Sequence, residues 1–192
     1  PLFIEYEGGT QMQRREPGSQ TLFQPPSREF PLGLDWRGRD VLSHMIFGGQ
    51  APIFTSIQAA LLSTFIAVLL GAVSALIGGL TDQALIGVAN FVLAVPLFPL
   101  LLVMSTIIPL DNTVLIWMLA LFTWPSLMRS VRAQVLSLRE RDYIEASFAL
   151  DLGLPHIISR EIFPNLVSYI AVNFILSIRA IMSSVVGLIL VG

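Results

Sequence analysis

From Val41 to Thr81 the chain carries no Asp, Glu, Lys or Arg. Within that run, SIQAALLSTFIAVLLGAVSALIGG (Ser56–Gly79) is long enough to cross a bilayer, which takes roughly 20 predominantly apolar residues in a helix. Composition points the same way. Hydrophobic residues make up 54% of the 192 and charged residues 12%, about half the charged share of an ordinary soluble domain. The mean hydropathy is +0.76. The sequence therefore reads first as an integral membrane protein. A net charge of −2 gives no footprint for nucleic acid. The absence of cysteine excludes disulfides and thiolate metal sites.

Three further spans follow. ALIGVANFVLAVPLFPLLLVMSTIIP (Ala84–Pro109) is the second, with kinks expected at Pro96 and Pro99, which neighbouring helices make tolerable in a membrane. TVLIWMLALFTWPSLM (Thr113–Met128) is the third, and Trp124 suits an interface. The fourth is LVSYIAVNFILSIRAIMSSVVGLILVG (Leu166–Gly192), with its apolar core at 166–188, interrupted by Arg179. The links Leu80–Gln83 and Leu110–Asn112 are short, so consecutive spans should run antiparallel. Residues 1–50 are mostly polar and read as an external segment. In it Asp40 is expected to cap a short amphipathic helix, VLSHMIF, that Gly48-Gly49 would end. The chain opens at Pro1 and stops within an apolar run, so a fragment is expected.

Arg129, Arg132, Arg139 and Arg141 follow the third span. The positive-inside rule puts them, and the loop 129–165, in the cytoplasm. That loop is unusual. Tyr143, Ile144, Phe148, Leu150 and Leu152 are too apolar for a solvated linker, while Glu145, Asp151 and Glu161 are too polar for a span. An amphipathic helix docked on a partner protein satisfies both facts, as does one lying on the membrane surface. The acidic residues disfavour anionic lipid. Gly153 and Pro155 should end this helix. A second one, HIISREIF, should stop at Pro164.

At these residues the sequence resembles a known family. EASFALDLGLPHIISREIFPN (Glu145–Asn165) is similar to the EAA loop of ABC-transporter permeases of the binding-protein-dependent import type. Glu145, Ala146 and Ser147 match its opening, and Ile162 to Asn165 its end. The family's glycine falls at Asp151, and Gly153, two residues later, is expected to make the turn. Independently, PLGLDWRGRDVLSHMIFGG (Pro31–Gly49) resembles the PLGTDxxGRDVLSRLIYG segment of dipeptide, oligopeptide and nickel permeases of the DppC/OppC type.

The resemblance implies an all-α, polytopic transmembrane bundle lacking the first and last of about six spans, in a prokaryotic plasma membrane. It implies a non-catalytic permease subunit for di- or oligopeptides, or nickel. Its implied partners are a second permease, giving a heterodimer, two ATPase subunits, an extracytoplasmic solute-binding protein and membrane lipid. ATP and Mg would sit on the ATPases. This chain has no lysine for a Gly-x-x-x-x-Gly-Lys phosphate loop and no cofactor or metal set of its own. ATPase coupling is assigned to Glu145, Ala146, Ser147, Asp151, Gly153 and Pro164. Arg179, Asn173 and Asn90 are candidate pathway groups. The alternative for Arg179 is an interfacial or interprotein position, and for the amides and for Ser105, Thr106 and Ser177 it is bonding between helices. A secondary transporter or channel with an amphipathic cytoplasmic loop is the competing class. A membrane enzyme would need converging catalytic groups that these motifs do not supply.

Overall fold

The computed structural model describes residues 24–108 and 111–191. The polar segment before Gln24, Pro109 and Leu110 of the second link, and Gly192 at the end of the expected fourth span lie outside the described residues. Among the described residues there are six helices: α1 (Val41–Ile77), α2 (Gly79–Ala94), α3 (Leu97–Ile107), α4 (Asn112–Arg139), α5 (Asp142–Ala149) and α6 (Leu154–Val191). Helices α1, α4 and α6 are each long and apolar enough to cross a membrane, and α2 with α3, bent by 68° at their junction, can make a fourth, broken crossing. The architecture is an all-helical, polytopic one.

Of the described residues, 24–54 belong to one compact unit. Its loop is organised by Asp35. One carboxylate oxygen accepts the backbone N–H groups of Arg37 (2.7 Å) and Arg39 (2.9 Å), and the other accepts the Arg39 Nε–H (3.0 Å). The Arg39 N–H first, then those further bonds, hold the Asp35 carboxyl below its ordinary range against a partial desolvation. Gly33 turns the chain at φ 75°, and a Cβ there would lie 2.3 Å from the Gln24 carbonyl oxygen, so no other residue fits. Asp40 caps α1 as expected: Oδ1 accepts from the Leu42 N–H (3.1 Å) and Oδ2 from the Ser43 N–H (3.3 Å) and hydroxyl (2.5 Å). The short helix does not end at Gly48-Gly49. It continues without a break into the first span. Glycine ends a helix by turning left-handed. Neither of these glycines does so, and in an apolar run breaking the helix would strand backbone groups.

Thr55–Val191 form the second unit. Here α1 ends at Ile77, and the reversal is made by Gly78 (φ 66°) and Gly79 (φ 57°). The expected link Leu80–Gln83 is instead the first turn of α2. The break between α2 and α3 falls at Val95-Pro96, which are extended. Pro99 makes no kink, because it sits in the first turn of α3, where backbone N–H groups have no partner within the helix. The third expected span and the arginine-bearing stretch after it are one helix, α4. It is capped by Asp111, whose carboxylate accepts the Val114 N–H at 2.7 Å.

Two apolar clusters hold this unit. In one, Ala59 and Ala60 of α1 meet Leu101 of α3, Leu115 and Leu119 of α4, and Ile181, Val185 and Leu188 of α6. In the other, Ala67, Ala72 and Ala75 of α1 meet Trp124, Met128, Val131 and Val135 of α4, Ile144 of α5, and Ile157 and Ile162 of α6. The residues of α1 on this seam are small. Ser63, Ala67, Gly71 and Ala75 recur every fourth position, one stripe of the helix. Small residues let membrane helices approach closely. Gly71 marks the tightest point: a Cβ there would sit 2.9 Å from the Met128 carbonyl oxygen and 3.0 Å from the Val131 side chain.

Candidate functional site

The candidate site is the short helix α5 with the turns on either side. Asp142 and Glu145 in its first turn suit the positive end of the helix dipole. Ile144 and Ser147 are buried, and Tyr143, Glu145, Ala146 and Phe148 are exposed. The helix thus anchors one edge in the core, where Ile144 is packed with Val135, Ile157 and Ile162, and offers Glu145 and Ala146 outward. Ser147 does not belong to the outer face. Its hydroxyl donates to the Tyr143 carbonyl at 2.9 Å, so its small size serves inward packing.

The exit from α5 corrects the expected turn. Asp151 has φ 53°, and it is the sole non-glycine residue with positive φ among the described residues. The Asp151 N–H donates to the Phe148 carbonyl (3.0 Å) and the Leu152 N–H to the Ser147 carbonyl (3.1 Å). This is a Schellman ending, with the left-handed residue just past the helix. The turn is made at the position of the family's glycine, by an aspartate, one of the few other residues that tolerates that conformation. Gly153 is extended (φ −57°, ψ 151°) and precedes α6. A Cβ on it would meet only the Pro155 ring, at 3.7 Å, so the backbone there does not demand glycine.

Pro164 does not end a helix. The turns Ile157–Ile162 are π-helical and run straight on into the last span. In an α turn, proline collides with the carbonyl four residues back. Here that carbonyl belongs to Arg160, inside the wider π turns, which relax the collision. The Asn165 side chain, one residue on, donates to the Glu161 carbonyl at 2.6 Å.

The intramembrane candidates do not come together. Asn90, on α2, accepts a hydrogen bond from Arg129 of α4, which is a tie between helices. Asn173 donates to the Tyr169 carbonyl of its own helix at 2.9 Å, and Ser105 and Thr106 bond back to Leu102 and Val103. Arg179 lies on the exposed side of α6, and no carboxylate pairs with it among the described residues.

A second polar cluster escaped the sequence reading. Arg132 of α4 donates through Nε (2.5 Å) and Nη2 (2.6 Å) to the two carboxylate oxygens of Asp82 on α2, a bidentate pair. Ser74 of α1 also donates to Asp82. Arg139 Nη1 donates to the Ala75 carbonyl at 3.1 Å, in the last turn of α1, where carbonyls lack helical partners. Asp82 is the sole charged residue between Asp40 and Asp111. A lone charge between apolar runs requires a partner, and that signal was available in the sequence.

Residues 67–192 match the family described as binding-protein-dependent transport system inner membrane component. The chain belongs to that family. The match takes in α5, its turns and the whole of α6. The oligopeptide transport system permease protein OppC of Mycobacterium tuberculosis (H37Rv) is 32% identical over 173 residues, 89% of this chain and 60% of that protein. OppC of Bacillus subtilis is 30% identical over 155 residues, 81% of this chain and 51% of that protein. A putative peptide permease protein of Brucella ovis is 34% identical over 147 residues, 77% of this chain and 49% of that protein. The chain spans about half the length of such relatives.

Proposed function

We propose that this chain is the membrane-spanning, non-catalytic part of a permease subunit in an ATP-driven importer that carries peptides across a prokaryotic plasma membrane. The observation that carries the reading is α5. It is fixed in the core by Ile144 and by the Asp151 turn, and its Glu145–Ala146 face is left open. That is the construction a docking helix needs, since a rigid element transmits a push and a loose one absorbs it. In this reading the end of α4 that bears Arg129 to Arg141 faces the cytoplasm, and α5 seats in a groove of an ATPase subunit. The segment before α1 faces outward, toward a solute-binding protein. ATP and Mg are held by two ATPase subunits, and a second, different permease subunit completes the path. Peptides are favoured over nickel because the named relatives are peptide permeases.

The test uses the full-length permease assembled with its ATPases and binding protein in lipid vesicles. Glu145→Ala is expected to leave assembly intact and to abolish ATP-dependent uptake of whatever peptide mass spectrometry finds on the purified binding protein. Normal uptake by that variant would refute the docking role. A binding protein that purifies with Ni²⁺ would replace the substrate assignment.

A further inference from the structure

Three arginines follow the membrane part of α4 and make interhelical contacts, but only one of them faces α5. The Arg139 guanidinium carbon lies 5.9 Å from the centre of the Phe148 ring, while Nη1 of the same group holds the Ala75 carbonyl at 3.1 Å. The group is planar, so its edge can donate to a carbonyl while its face covers a ring, which an ammonium cannot do. Leu136, Arg139, Glu140, Glu145 and Phe148 line one open groove, so Arg139 shares a groove with Glu145 of the face proposed to dock. Ala75 is fully buried, next to Ser74, which binds Asp82, and two residues before Ile77, where α1 ends at the Gly78-Gly79 reversal. A shift of the Ala75 carbonyl is therefore a shift of the joint between α1 and α2.

We propose that Arg139 is a positioning residue that passes displacement of α5 to the end of α1, alongside the covalent route from α4 into α5. The inference rests on the reading of α5 as the docking helix. It adds a specific claim: the last turn of α1 moves when α5 moves, through the contact of Arg139 with Phe148.

Cysteines are introduced and spin-labelled at Ile77 and Leu121, both exposed, after any cysteine elsewhere in the full-length permease and its partners has been replaced; these 192 residues contain none. The distance between them is measured in the full-length permease, assembled with its ATPases in nanodiscs, without nucleotide and after trapping with ATP and vanadate. The parent protein is expected to show a nucleotide-dependent shift. Arg139→Lys and Phe148→Leu are each expected to reduce the shifted population by about 2- to 30-fold. The double variant should be no worse than either single one, the mark of two groups acting through one contact. An unchanged shift in both single variants overturns the role of Arg139 and leaves the docking reading standing. No shift in the parent protein overturns both. The nucleotide-free distance reports the fold. If Arg139→Lys alters it, Phe148→Leu, which leaves the Ala75 bond in place, decides the matter alone.

Discussion

The seam between α1 and α4 and the free side of α6 are made from the same apolar residue types but are built to opposite ends. Of the most apolar stretch of each helix, 50% is buried for α1 and 44% for α4, but 17% for α6. The seam is closed by this chain itself. It has a stripe of small residues, a hydrogen bond from the Thr123 hydroxyl to that of Ser63 (2.9 Å), and the Asp82 carboxylate of α2, which accepts from both Ser74 of α1 and Arg132 of α4. On α6, Val172, Ile175, Leu176, Arg179 and Leu190 are exposed. Hydrophobicity decides that these helices enter a membrane, but side-chain size and polar ties decide which of them pack on each other.

The comparison can be broken most forcefully at Asp82. Arg132→Gln leaves a partly buried carboxylate with Ser74 but without its cation. Removing one member of such a pair is expected to cost about 3 kcal/mol, read as a lower unfolding midpoint of the full-length permease in detergent. A loss under about 0.5 kcal/mol would put the pair among surface ion pairs and leave the seam to the small-residue stripe and its direct hydrogen bonds from Thr123 and Arg139. Gly71→Ala comes next. Its new methyl would press on the Met128 carbonyl, a backbone atom that cannot swing away, and overpacking of this kind costs about 2 kcal/mol. The same substitution at Gly87, where nothing lies within 4 Å, should be neutral or slightly stabilising.

The turn that feeds α6 sets a smaller effect and shows where sequence reading stopped. Asp151→Gly should stabilise the turn by about 1 kcal/mol, and Asp151→Val should destabilise it by at least as much, because a left-handed backbone penalises a branched side chain. Both can be read from amide exchange at Leu152, which donates to the Ser147 carbonyl. The apolar helices, the cap at Asp40 and the existence of a short helix near Glu145 were legible, since each depends on neighbours in the chain. Preference for glycine pointed to Gly153, whereas the carbonyls of Ser147 and Phe148 place the turn at Asp151. Gly71 was not legible, because its constraint comes from Met128 on another helix. Pro164 misled for a local reason: a π turn upstream makes room for it.

The smallest effect tests the other side of the comparison. Ile175→Ala and Leu176→Ala remove large apolar groups from α6, as a core substitution would. In a packed core either would cost several kcal/mol. Both side chains are more than half exposed within this chain, at 66% and 53%, and they leave no cavity inside it. The isolated full-length permease should therefore lose less than about 0.5 kcal/mol from either change. The assembled transporter is the informative contrast. If these residues face lipid there, the loss stays small in both states. If another subunit covers them, the same substitutions leave the isolated subunit intact and lower the midpoint of the complex. A large loss already in the isolated subunit would show α6 packed by its own chain, and the contrast with the α1–α4 seam would fail.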